Sequence, residues 1–135
     1  MSNEKPAHLS ITPPIARLLG REIMRTDADG TIHVRFQTRP QFANRHGTVQ
    51  GGIVAAMLDS ATSAVLFAQL PNDLTSLTAR LETDFLKPAP LAELFAKAWI
   101  VSRDERGAIT QGELSDADGT IVAKATAHLR IRKRT

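Results

Sequence analysis

The chain has no cysteine and no tyrosine, and only one tryptophan and five phenylalanines in 135 residues. Without cysteine there is no disulfide framework, no thiolate metal site and no cysteine nucleophile. Aromatic poverty removes the stacking platform that single-stranded nucleic acid needs. A decisive charge is missing too. The sequence pI is near 9.8, yet 17 basic against 14 acidic residues leave a net charge of only +3. Four of the basic residues, Arg130, Arg132, Lys133 and Arg134, crowd the C-terminal end. Without them the balance is 17 − 4 = 13 against 14, or −1. The body is near neutral, so no nucleic-acid partner is expected, and the basic tail reads as a solvated end that can help a polyanionic ligand dock.

Several chemical signatures are also missing. There is no Walker loop, dinucleotide fingerprint or nucleophile-elbow serine. His8, His33, His46 and His128 are scattered without metal-ligand spacing, so no metal is expected. Residues 1–8 show no apolar core or cleavage site, so no secretory signal is read and a cytoplasmic location is expected. The length suits one domain spanning 1–135, with 1–12 and 133–135 as flexible ends.

What is present is organised by turns. Pro13 and Pro14 open a short helix that Gly20 closes. A hairpin follows around Asp27–Gly30, with Ile32, Val34 and Phe36 alternating on one face. Residues 50–70 differ in kind: Asp59 is their only charged residue. They predict one long helix buried nearly all round. Its length is barely enough to span a membrane, but its alanines, the central Asp59 and the strand-like flanks argue against insertion. After Pro71 alternation returns. One strand carries Leu77, Ala79, Leu81, Thr83 and Phe85 on an edge. Further strands follow, closed by Asp104–Gly107 and Asp116–Gly119, and the last places Ile121, Ala123, Ala125, Ala127, Leu129 and Ile131 on one face. Three Asp-x-x-Gly turns between alternating runs predict an antiparallel meander. A sheet curved around one apolar helix leaves an edge strand and part of the helix uncovered, so an identical partner is expected.

The stretch QGGIVAAMLD, residues 50–59, holds the candidate chemistry. The first N–H groups of a helix lack internal partners and carry partial positive charge. Glycine at 51 and 52 lets a ligand approach them, which suits a carbonyl oxygen that gains negative charge. Asp59 sits on a helix with no basic residue to pair with it. It reads as a core aspartate bonded to nearby groups, or as a base or nucleophile facing a cleft. Gly51 and Asp59 are eight residues apart, about 12 Å along a helix axis. One carbonyl cannot touch both, so cooperation requires two subunits. Upstream, Asn44 can hold a carbonyl or a water, and His46 is a candidate general base.

Asn44, Gly47, Gln50, Gly51, Gly52 and Asp59, followed by TARLETDFLKPA at 78–89, resemble the hotdog-fold acyl-CoA thioesterases, nearest the phenylacetate-pathway type. The resemblance implies an α+β hotdog fold, an antiparallel sheet wrapped around one long central helix with a short N-terminal helix. It implies hydrolysis of acyl-CoA to free acid and CoA by a dimer at least, and a tetramer by family habit. No cofactor is implied, coenzyme A being part of the substrate. Gly51 would offer the N–H that polarises the thioester carbonyl. Asp59 of the opposite subunit would be general base or nucleophile, Asn44 would position water or carbonyl, and Thr78 would hold the water. Gln50 stands where the family has histidine; it can donate a hydrogen bond but carries no charge. Gly52, His46, Arg80 and Lys87 are further substrate-binding candidates, the last two for CoA phosphates. Phe42, Met57, Phe67 and Leu81 are candidates for the acyl pocket. Two rival readings are a non-catalytic acyl-CoA-binding module and a hydroxyacyl-thioester dehydratase, though the dehydratase entrance His-Phe-Pro is absent.

Overall fold

The computed structural model describes residues 12–134; the N-terminal stretch and the last residue of the expected flexible ends lie outside the described residues. Helix α1, Pro14–Leu18, has proline in its first turn as the sequence predicts. The hairpin of β1, Glu22–Thr26, and β2, Ile32–Phe36, follows. A short 3-10 turn, Pro40–Phe42, leads to the long helix α2, Gly51–Phe67. Then come β3, Leu74–Phe85, β4, Leu94–Arg103, β5, Gly107–Ser115, and β6, Ile121–Lys133. Arg130, Arg132 and Lys133 of the basic tail belong to β6, and Lys133 pairs with Leu74. The six strands form one antiparallel sheet in the order β1-β2-β4-β5-β6-β3.

The meander is only partial. β4, β5 and β6 are sequential neighbours, but β3 pairs with β6 and lies at the far edge. From β3 the chain crosses back to β4, beside β2, through residues 86–93, which include Pro88 and Pro90. That connection has no Asp-x-x-Gly turn, unlike the other hairpins, because a crossover needs reach rather than reversal.

Helix α2 lies on one face of the sheet. Val54, Met57, Leu58, Ala61, Thr62, Val65 and Leu66 are buried, the 3.6-residue stripe of a helix packed on one side. Small residues set the closeness of that packing. A Cβ at Gly112 of β5 would stand 3.2 Å from Thr62 Cγ2 and 3.5 Å from Leu58 Cδ2. Thr110, also on β5, donates its hydroxyl to the Thr62 carbonyl at 3.1 Å. The expectation of burial all round fails within a single chain. Ala55, Ala56, Asp59, Ser60 and Ser63 are half-buried, and Gly52 is exposed. The sheet reaches only one side of the helix. No helix among the described residues is long and apolar enough to cross a membrane.

Two strand irregularities correct the expected faces. In β3 the register shifts between Thr78 and Arg80. Thr78 opposes the buried Leu129 before the bulge, and Leu81 opposes the buried Ala127 after it. Thr78 and Leu81 therefore share the helix side, and Leu77 turns outward, 56% exposed. In β6 a shift between Leu114 and Ser115 of the partner strand buries Val122 and leaves Ile121 exposed.

In two of the three Asp-x-x-Gly turns the fold favours the charged form of a carboxylate. Asp104 Oδ1 accepts the Arg106 and Gly107 N–H groups at 2.8 and 3.0 Å. Those bonds hold its carboxyl below the ordinary 3.8. The His33 ring does the same for Asp27, and the Thr31 N–H for Asp29. With a folded pKa below the unfolded one, each carboxylate stabilises fully above 3.8 and loses that contribution as pH falls through its folded value. The melting temperature is expected to hold down to about pH 4 and to drop below it, less steeply in Asp104→Asn. A melting temperature flat from pH 4 to pH 2 would contradict this.

Candidate active site

Two sets of groups stand out, one at each end of the segment from Gly51 to Asp59 of α2. The first surrounds Gly51. Residues 44–48 form a tight turn in which Gly47 takes φ +78°, a conformation that favours glycine. Asn44 builds this turn with its own side chain. Its Oδ1 accepts the His46 and Thr48 N–H groups at 2.9 and 3.2 Å, and its Nδ2 donates to Thr48 Oγ1 at 2.9 Å. One amide hydrogen of Asn44 is left over for a ligand. The segment is then clamped: Val49 N–H donates to the Ala89 carbonyl at 2.9 Å and Gln50 N–H to the Phe42 carbonyl at 2.8 Å.

The clamp delivers Gly51 as the first residue of α2. Gln50 is the cap, exposed, and its side chain makes no cap bond. The N–H groups of Gly51 and Gly52 have no acceptor among the described residues. A cleft of about 410 Å³ opens in front of Gly51. It is lined by Asn44, His46, Gly51, Phe85 and Lys87, among others. Four of the candidates thus meet at one place. Gly52 is beside them but exposed.

The second set is the Asp59 pair. Asp59 is half-buried on α2, and Thr78 reaches it from β3: Thr78 Oγ1 donates to Asp59 Oδ1 at 2.8 Å. Among the described residues no cation forms an ion pair with Asp59. A carboxylate held by one hydroxyl and left otherwise unpaired keeps an oxygen for a water or a carbonyl carbon. The bulge at Ala79 brings the two together, because an unbroken strand with Leu81 inward would turn Thr78 outward.

Arg80 does not join either set. Next to the inward Leu81 it pairs with His128 on the sheet face away from α2, 3.4 Å from Glu82. Phe42 and Met57 lie in the core rather than at the cleft, and Leu81 packs against that core. The sequence reading missed three residues. Phe85 lines the cleft, its ring within ordinary contact of a Cβ placed on Gly51. Ser63 approaches Thr78 at 3.4 Å; its spacing of four from Asp59 is the signal that would have found it. Arg21 lies after α1 and donates to Ser60 Oγ at 3.1 Å, with burial lowering its pKa. No local pattern announces that contact.

The sequence model of the thioesterase superfamily matches residues 46–123, more than half of the chain. The chain belongs to the thioesterase superfamily. Among solved structures it is similar to a phenylacetic acid degradation-related protein of Ralstonia eutropha JMP134, with 34% identity, a TM-score of 0.86, and coverage of 90% of this chain and 92% of that one. It is similar to S. sahachiroi AziG at 27% identity and TM-score 0.82, covering 90% and 98%. It is also similar to the BH2602 protein of Bacillus halodurans, solved with CoA, at 28% identity and TM-score 0.80, covering 90% and 78%. The sheet and its single long helix are thus the α+β hotdog fold of this superfamily. Membership supports thioester hydrolysis as the general chemistry of this thioesterase-superfamily chain.

Proposed function

We propose that the protein hydrolyses acyl-CoA thioesters at a site shared by two identical subunits. The observation that carries this reading is the unpaired Asp59 carboxylate held by Thr78. Asp59 of one subunit either takes a proton from the water that attacks the thioester carbonyl carbon, or attacks that carbon itself to give a mixed anhydride that water then hydrolyses, restoring the carboxylate. The carbonyl oxygen gains negative charge against the Gly51 N–H of the other subunit. The C–S bond breaks, CoA leaves as thiolate and takes up a proton, and the acyl group leaves as the free acid. The free Asn44 amide hydrogen orients the carbonyl or the water. Gln50, next to Gly51, supplies a neutral donor.

The shared site rests on distance and on the uncovered surfaces. Gly51 and Asp59 stay about 12 Å apart on one helix at 1.5 Å per residue. β3 is an edge strand of 12 residues, and the helix stripe beside it is only half-buried. An edge of that length invites a second copy. CoA enters the proposal through the cleft, whose lining includes Lys87 as a cation for phosphate; the relative solved with CoA is in line with this.

The test is thiol release from phenylacetyl-, hydroxybenzoyl-, short-chain and long-chain acyl-CoA, read with a disulfide reagent. The protein has no cysteine and so adds no background. Turnover of at least one member is expected. Silence across CoA and acyl-carrier-protein thioesters alike would remove the hydrolase reading in favour of a binding module.

A further inference from the structure

Ser63 stands one helical turn beyond Asp59 on α2, and its Oγ lies 3.4 Å from Thr78 Oγ1. A hydroxyl has one proton and two acceptor lone pairs. The Thr78 proton points at Asp59 Oδ1, 2.8 Å away. The Ser63–Thr78 contact is then satisfied only when Ser63 is the donor. Ordinarily a helical hydroxyl bonds back to the preceding turn. Thr62 does so, donating to the Leu58 carbonyl at 2.7 Å with the Asp59 carbonyl at 3.2 Å. Ser63 makes no such bond among the described residues; it faces β3 instead.

We propose that Ser63 is a positioning residue that fixes the direction of the Thr78 proton. The chain of donors runs from Ser63 to Thr78 to Asp59. If Thr78 turned its proton elsewhere, its lone pairs would face the carboxylate and push it away. With Ser63 donating, Thr78 accepts on one side and donates on the other, and each bond polarises the next. Asp59 Oδ1 is thereby held and Oδ2 is left to meet the water or the carbonyl carbon. This inference rests on Asp59 being the reacting carboxylate.

The test is a double-mutant cycle in thiol release, with Ser63→Ala, Thr78→Val and the double variant beside wild type, and Ser63→Thr as the conservative control. Ser63→Ala is expected to lower kcat by roughly 3- to 10-fold with KM changed less than about twofold, because the hydrogen bond acts on the carboxylate and not on substrate binding. In the Thr78→Val background the same change is expected to cost less than about twofold, since the route to Asp59 is already cut. Ser63→Thr is expected to restore the wild-type rate. The melting temperatures of all variants check folding. Equal loss in both backgrounds would overturn the relay, as would a wild-type rate in Ser63→Ala. A wild type that releases no thiol would overturn the hydrolase reading and the relay with it. Loss in Thr78→Val beside full activity in Ser63→Ala would overturn the relay alone.

Discussion

Asp59→Asn is expected to lose thioester turnover while keeping the fold. Asparagine retains an oxygen at the Oδ1 position, so Thr78 keeps its acceptor. What disappears is the negative charge and the capacity to take a proton or attack a carbon. Removing a positioned base costs about 10²- to 10⁴-fold, and removing a nucleophile costs at least as much. Both routes fail in this variant, so it need not be decided beforehand which one operates. Stability should change little. No ion pair is broken among the described residues, and a half-buried carboxylate without a cation is itself unfavourable. The melting temperature is expected to stay level or rise slightly. The checks are thiol release from the best acyl-CoA and a thermal melt. An active variant would exclude Asp59 from the chemistry. An unfolded one would mean that Asp59 is a core aspartate bonded for structure.

Much of the fold was legible because its punctuation is local. Pro14, Gly20 and the Asp-x-x-Gly turns fix where elements start and stop, and alternation with period two identifies the strands. Parity inside a long strand is less secure. The run from Leu77 to Phe85 alternates without interruption, so nothing in it signals that Ala79 is an extra residue. The bulge there is set by pairing with β6, whose partners for Thr78 and Arg80 are 129 − 78 = 51 and 128 − 80 = 48 positions away along the chain. One slipped residue exchanges the faces. It moved Leu77 outward and turned Thr78 toward the helix. Arg80 lies beyond the bulge and keeps the outward face that alternation with the inward Leu81 gives it. Asp59 was legible for the opposite reason: a charge with no partner within its helix is anomalous in any register.

The same distinction explains the cleft. Gly51 and Gly52 announce a helix start, and Gly47 announces the turn before it. The role of Asn44 was half legible. Its amide was read as a ligand for substrate or water, but three of its hydrogen-bonding capacities close the 44–48 turn. The turn in turn sets where Gly51 sits, so Asn44 shapes the site even before it touches anything. Phe85 was assigned to a strand edge, and only the crossover after β3 lays its ring against Gly51.

Gly51→Pro is expected to remove the proposed oxyanion donor without disturbing the helix. Proline is favoured in the first helical position, where the N–H has no intrahelical acceptor. The Gly51 N–H has no acceptor among the described residues. Gln50 has φ −56° and ψ 137°, the extended shape that a residue before proline adopts. A Cβ at 51 meets the Phe85 ring no closer than 3.5 Å, an ordinary contact. Loss of one such donor lowers kcat by about 10²- to 10³-fold. Gly51→Ala keeps the N–H and should retain most of the rate, which separates the donor from the side-chain space. Mixing then tests the shared site. A hybrid dimer of Asp59→Asn and Gly51→Pro chains contains one site with both Asp59 and Gly51 intact, and one with neither. With random pairing, two inactive proteins should regain roughly a quarter of wild-type turnover, as two-fold symmetry requires. A mixture that stays silent, with hybrid dimers shown to form, would mean that each chain carries a whole site and that the 12 Å separation estimated from helix geometry is bridged by some other donor.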